Sequence, residues 1–396
     1  GASLRALRNS ETGEWLPAAG NLVVRCDSST VLNPGDRAVV RGKIYPFTAR
    51  HGGYGRLMTR RGYVGTLYLN RSSLLLRDTL HRELPPKHLS LFLHERAVAR
   101  LDRLSLAPDE QALCNAMTAG DRRSLSPALR AAYSRSGTSH LLAVSGLHVG
   151  IVFLLANLLL WWLPLFRHGH ILRNIAVILL IWLYAATTGF PPSVVRAALM
   201  FSVLQFALAS SSEYVGMNTL AGVAFVMLLF HPDYLFDISF QLSFIAVAGI
   251  IAWGLPLCRL LRTRRKSIDM LTATLAIGFS ASAATAPLIS HTFGQISVVG
   301  LALNPVVILL SYVVVGSCTL WLVIPGTVLA PLFSDVAGFA ARAQNELIRA
   351  AAALPAAALD IRLTTTQCWI VYGLFIFATL LLWSAERKKS VSSLPE

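Results

Sequence analysis

The sequence predicts a polytopic α-helical membrane protein with a small β-rich domain at its N-terminus. Three observations carry this. The chain is 54% hydrophobic and only 14% charged, with a mean hydropathy of +0.57, which is too apolar for an ordinary soluble protein of 396 residues. Its first 110 residues hold 17 Lys and Arg against 10 Asp and Glu, so a basic, soluble-looking head precedes the apolar body. From about residue 141 the apolar runs reach the ~20 residues that a helix needs to cross a hydrocarbon core.

In chain order, the opening GASLRALRNSETGEW has no apolar leader and does not begin with Met, so upstream helices are expected to be missing. Residues 20–70 read as short strands broken by turns: NLVVRC, the turn NPGD, RAVVRGKIY, then YVGTLYL. They predict a small barrel or sandwich. HLSLFLHERAVARLDRL, residues 88–104, spaces Leu89, Leu93, Val98 and Leu101 as one face of an amphipathic helix, with Arg96, Arg100 and Arg103 interleaved. The resulting domains are 1–75, a helical connector 76–135, the membrane body 136–386 and a basic tail 387–396.

Eight spans are expected, near 147–166, 171–189, 193–211, 217–231, 238–257, 269–288, 303–324 and 367–385. The fourth is cut short by His231-Pro232, and Asn304-Pro305 interrupts the seventh, so both are expected as half-helices or re-entrant elements. Arg167 and Arg173, the block Arg259 to Lys266, and Arg387 to Lys389 mark cytoplasmic loops, which puts residues before 147 outside the cytoplasm. Crossing parity then fails by one. Either residues 326–366 hold a further crossing or one of these spans is not a crossing, and 336–354 reads as amphipathic rather than spanning.

The five cysteines show no CxxC or CxxH spacing, so no zinc site is read, and a disulfide between Cys26 and Cys114 stays open if both lie outside the cytosol. No metal and no cofactor is expected.

The chemistry of the body lies in few polar residues near the non-cytoplasmic ends of spans: His148, Arg196, Asp237, Gln241, His291 and Gln295. Ionisable groups in spans are costly and face a partner or a water-filled path, so these are expected to converge on one outer mouth; the alternative is an Arg196–Asp237 ion pair with interfacial histidines. SGTSHLLAVSGLHVG, residues 136–150, concentrates the signal. On a helix Ser145 and His148 share a face, Gly146 and Gly150 form a GxxxG for close helix packing, and His140 and His148 lie about 80° apart, which suits a cavity lining better than a shared metal.

SGTSHLLAVSGLHVGIV closely resembles the signature of the ComEC competence-protein family. TTGFPPSVVRAALM (187–200), FDISFQLSFIAVAGI (236–250) and TAPLISHTFGQISVVGLALNPVVI (285–308) resemble further blocks of that family, in order. The resemblance implies a bacterial inner-membrane channel that imports single-stranded transforming DNA, with a periplasmic OB-fold. Its motif positions fall on His140, Ser145, His148, Arg196, Asp237, Gln241, Ser243 and Asn304. In the OB-fold-like domain Arg25, Arg41, Lys43, Tyr45, Arg60, Arg61 and Tyr68 are the DNA-binding candidates, since such modules pair a basic groove with stacking aromatics. It also implies membrane lipids, a periplasmic DNA receptor, a separate nuclease and a cytoplasmic helicase or motor as partners, and homo-oligomers. The family's HxHxDH metal motif is not matched, because His168-Gly169-His170 is followed by Ile-Leu, and no P-loop GxxxxGK[ST] occurs.

Two other functions compete. A transporter for a small anion would use Arg196 as counter-charge. An intramembrane serine protease would use Ser145 with His291, although Ala143 stands where its motif wants glycine.

Overall fold

The computed structural model describes residues 2–8, 12–27, 36–47, 62–78, 87–210, 216–263, 265–297, 299–324, 329–354 and 359–392, with Gly55, Met58 and Thr59. The chain falls into two compact units, Gly1–Leu91 and Phe92–Glu396.

The first unit is built of strands β1 (Ala2–Arg8), β2 (Trp15–Cys26), β3 (Arg37–Val40), β4 (Ile44–Pro46), β5 (Tyr63–Leu69) and β6 (Leu74–Asp78). Four of them form a sheet in the order β1-β2-β5-β4, and β3 pairs with β6 in a second, two-stranded sheet. The expected barrel is therefore not closed among the described residues: no ladder joins the two sheets. The strands alternate as pleated, half-buried strands do. Leu22, Leu67 and Leu69 turn inward against Leu4, Val24, Val40 and Ile44, so both sheets share one small apolar core. Gly65 is required here, because a Cβ on it would fall 2.5 Å from the Tyr45 carbonyl oxygen and force β4 off β5.

Helix α1 (Lys87–Leu101) spans the division, and the rest of the second unit is helical: α2 (Pro108–Thr118), α3 (Pro127–Arg135), α4 (Gly146–Leu159), α5 (Gly169–Thr187), α6 (Pro192–Ser210), α7 (Gly216–Phe230), α8 (Ile238–Leu260), α9 (Lys266–Phe293), α10 (Val299–Val323), α11 (Ala330–Ala352) and α12 (Thr365–Ser392). Five segments are long and apolar enough to cross a membrane, Gly146–Leu165, Gly169–Thr187, Ile238–Leu260, Ile268–Phe293 and Leu303–Val323, while Pro192–Leu208, Gly216–Phe230 and Thr365–Leu380 are shorter apolar helices. Exposed Leu158, Leu179, Phe206, Phe225 and Leu309 face outward from the bundle, as lipid-facing side chains do.

Two cores hold the bundle. One joins α2, α3, α10 and α11 around Leu113, Met117, Leu129, Tyr133, Val314 and Ile348. The other joins α4, α5 and α6 around Val149, Phe153, Ile181 and Val194, with Phe153 stacked on Phe201 at 4.8 Å.

One expectation is corrected. Pro305 does not break its helix, since α10 runs unbroken from Val299 to Val323 with Pro305 inside it; membrane helices tolerate proline where neighbours satisfy the freed groups. Cys26 and Cys114 are both free thiols, Cys114 lying wholly buried in one core with Cys318. α11 runs back along α10. Trp321 Nε1 donates to the Arg100 carbonyl and Ser334 Oγ to that of Leu104, whereas Ile296 and Leu359 form a β-bridge. The end of α10 thus adjoins the start of α11, and the chain after α11 returns to the start of α10. At ~1.5 Å per residue, 23 residues of α11 cover about 34 Å, but α11 is not among the helices apolar enough to cross a membrane.

Candidate nucleic-acid interface and helical mouth

On the first unit, strand pairing assembles the aromatic candidates. β2 and β5 run parallel with Arg25 opposite Tyr68, and β4 runs antiparallel to β5 on its other side, with Tyr45 opposite Thr66. The Arg25 guanidinium lies 5.9 Å from the Tyr68 ring centre and the Lys43 ammonium 5.9 Å from that of Tyr45. The two tyrosine rings meet edge to face at 5.8 Å, and both are about half exposed. Two cations and two half-exposed aromatic rings thus form one patch, the combination that stacks bases and draws a phosphate backbone. Arg41 is exposed beyond the end of β3, where its backbone N–H donates to the Ser73 carbonyl. Arg60 and Arg61 lie outside the described residues.

In the second unit, SGTSHLLAVSGLHVG forms the entry to α4. Ser136 and Thr138 are fully buried and share a 2.7 Å hydrogen bond. Gly137, at φ +74°, lies so close to Ser297 that a Cβ would fall 2.3 Å from the serine Cβ, which ties the segment to the start of α10. A 3-10 turn, Ser139–Leu142, then presents His140, and the chain enters α4 with Ser145 as N-cap. The Ser145 N–H donates to Nδ1 of His148 at 3.1 Å, so the proton of the neutral ring sits on Nε2, which is buried without a hydrogen-bond partner. His140 is exposed on this turn, and desolvation by the surrounding protein pushes its pKa down. The two histidines lie within electrostatic reach of each other.

The start of α6 abuts this entry. Ser193 Oγ donates to the Val144 carbonyl at 2.9 Å, a Cβ on Gly146 would stand 3.6 Å from Ala197, and one on Gly150 would stand 3.2 Å from the Phe201 ring. Next to Ala197, Arg196 is only 3% exposed; its guanidinium lies 5.3 Å from the Phe244 ring centre and Nη1 has no hydrogen-bond partner. Asp237 caps α8, accepting from the backbone N–H of Ser239 at 2.8 Å and of Phe240 at 3.3 Å, and its charge reaches Arg196. Gln241 Nε2 donates to the Leu235 carbonyl, Ser243 is half-buried on α8, and Asn304 Oδ1 on α10 is buried without a partner.

The structure thus joins 144–150 to 193–201, and Arg196 to Phe244 and Asp237. His291 belongs elsewhere: its Nδ1 is hydrogen-bonded to the Leu363 carbonyl, beside Ser290 Oγ on that of Ile361. The imidazole beside Ser145 is therefore that of His148, whose Nδ1 is already taken by a backbone N–H. Among the described residues no group of three or more His, Cys, Asp or Glu is placed to hold a metal ion.

One network was missed in the sequence. Arg173 donates to the Asn157 carbonyl and side chain, Asn157 Nδ2 to Gln205 Oε1, and Gln205 Nε2 to Asn174 Oδ1, clasping α4, α5 and α6 together. The signal was present, as two lone amides, Asn157 and Gln205, in otherwise apolar runs.

Comparison with known proteins agrees with the helical unit. The model of the competence protein family matches residues 117–388. ComE operon protein 3 of Bacillus subtilis (strain 168) is 31% identical over 223 residues, 55% of this chain and 27% of that protein. An uncharacterized protein of Aquifex aeolicus (strain VF5) is 29% identical over 201 residues, 50% of this chain and 45% of that protein. The matched part spans less than half the length of either relative, and no solved structure matches. With more than two thirds of its length matched, the chain belongs to the competence protein family.

Proposed function

We propose that the protein serves DNA uptake as a multi-pass conduit of the bacterial inner membrane, passing a single strand inward, with the first unit on the extracytoplasmic side. Membership of the competence family supports the process, and the apolar helices support the location. One observation carries the strand itself: the exposed Arg25–Tyr68–Tyr45–Lys43 patch, whose aromatic faces accept any base and whose cations hold the backbone. Sparse polar groups in the helical unit, rather than a cationic lining, let a polyanion enter and also leave. A periplasmic receptor, a separate nuclease and a cytoplasmic motor complete this scheme, with homo-oligomers in the membrane.

The test is to delete the gene in its host and restore it as wild type or as Tyr45→Ala/Tyr68→Ala, then follow strand-labelled DNA. The expected result is import of one strand by the wild type and reduced capture by the double variant. Unchanged DNA entry on deletion would overturn the reading. The buried, unpartnered Nη1 of Arg196 also suits a small anion, and for that reading uptake of the labelled anion, not of DNA, would follow the gene.

A further inference from the structure

We propose that Arg196 binds one phosphodiester oxyanion of the strand, and that Asp237 is the release residue that keeps this binding weak. The inference rests on the conduit reading and adds a site and a division of labour to it.

A guanidinium buried in an apolar bundle is costly unless it finds a partner. Arg196 has spent one face on the Phe244 ring, which fixes the plane of its fork and leaves the edge to hydrogen-bond. Along that edge Nη1 is buried without a partner, while the side chain as a whole is 3% exposed. An oxyanion is the group that fits such an edge, since charge-assisted N–H bonds to phosphate or carboxylate oxygen are the strong ones.

Asp237 makes the site weak. Its carboxylate accepts from two backbone N–H groups of α8 while its charge reaches the guanidinium. An arriving oxyanion therefore meets a cation that already has a counter-charge. A conducting site has to be favourable enough to enter and weak enough to leave, and a fixed carboxylate beside a single arginine meets that requirement.

Asp237→Asn separates the two roles of Asp237. Asn caps a helix as well as Asp does, so α8 keeps its start while the competing charge is removed. The full chain, purified in detergent, is titrated at equilibrium with inorganic phosphate and with a short single-stranded oligonucleotide, reading thermal stabilisation. The expected result is binding about threefold or more tighter in Asp237→Asn, and loss of binding in Arg196→Gln. Arg196→Lys, which keeps the charge but not the stacked fork, is expected to bind weakly, which guards against a mere folding defect in the Gln variant. In cells, Asp237→Asn is expected to capture DNA normally yet import it more slowly.

Equal titrations of wild type and Arg196→Gln, or no tightening in Asp237→Asn, would overturn the proposal. So would phosphate stabilisation that disappears in nanodiscs of phosphatidylglycerol but persists in phosphatidylcholine, because the occupant would then be a lipid headgroup. These outcomes are independent of the conduit reading, which fails instead if deletion of the gene leaves strand import unchanged.

Discussion

The backbone N–H of Ser145 donates to Nδ1 of His148, three residues on, at 3.1 Å. This is the reciprocal half of a capping box, normally made by Glu or Gln at the third helical position, here made by an imidazole at the start of an apolar helix. An imidazole fulfils this role without placing a fixed charge there.

Replacing His148 separates its bond from its bulk. His148→Gln keeps an acceptor for the Ser145 N–H and is expected to cost about 1 kcal/mol. His148→Ala loses the cap and leaves a hole where a fully buried ring stood, for about 3 kcal/mol in all. Thermal unfolding in detergent orders the two; equal losses would mean that the cap contributes nothing.

Helix proximity makes a second prediction at Gly249. A Cβ there would fall 2.5 Å from the Ala284 Cβ and 3.1 Å from the Ser280 carbonyl oxygen, so Gly249→Ala has to push α8 off α9, at about 1–3 kcal/mol. Gly222→Ala, where nothing stands within 4 Å, is the control. Its better helix propensity is expected to leave stability unchanged or raise it by up to about 1 kcal/mol. Similar melting temperatures for the two variants would show that α8 and α9 pack more loosely than this.

Such close approaches mark what the sequence could and could not convey. The apolar runs placed α4 to α10 within a few residues, because hydropathy reports burial in lipid directly. α11 was legible only as an amphipathic stretch. Its stripe of Leu332, Val336 and Phe339 gives way to Arg342, Glu346 and Arg349, and Glu110 and Asp109 of α2, distant in the chain, neutralise the two arginines. Pro305 misled for a related reason, as local propensity knows nothing of the neighbours that support α10. In the first unit the alternation of YVGTLYL marked a strand, but only the parallel pairing with β2 sets Arg25 beside Tyr68, and register is not written in either strand alone.

The titration of His140 is open to test. Desolvation holds its pKa below the usual 6.5, and it stands in the turn before α4, outside the spanning segments. The folded state then binds fewer protons than the unfolded one as pH falls through 6.5, so stability is fully present above that pH and is lost below it. The wild type is expected to lose melting temperature between pH 7 and pH 5, and His140→Gln to lose less. Parallel curves for both proteins would assign that pH dependence to other groups.

The last prediction separates stacking from charge on the sheet face. Alanine at a stacking aromatic costs about 1–3 kcal/mol per base, so Tyr68→Ala is expected to weaken binding of a single-stranded oligonucleotide to the full chain roughly 5- to 150-fold at any salt concentration. Arg25→Gln removes a cation that stands over that same ring, 5.9 Å away, and acts through counterion release. Its penalty is therefore expected to be large at low salt and to shrink as salt rises, lowering the slope of log affinity against log salt by about 0.7 for each phosphate that is no longer neutralised. Fluorescence anisotropy at several salt concentrations reads both quantities in one experiment. If Tyr68→Ala changes the slope and Arg25→Gln does not, the roles of ring and cation are reversed; if neither changes binding, the patch is a solvated face and the strand is held elsewhere.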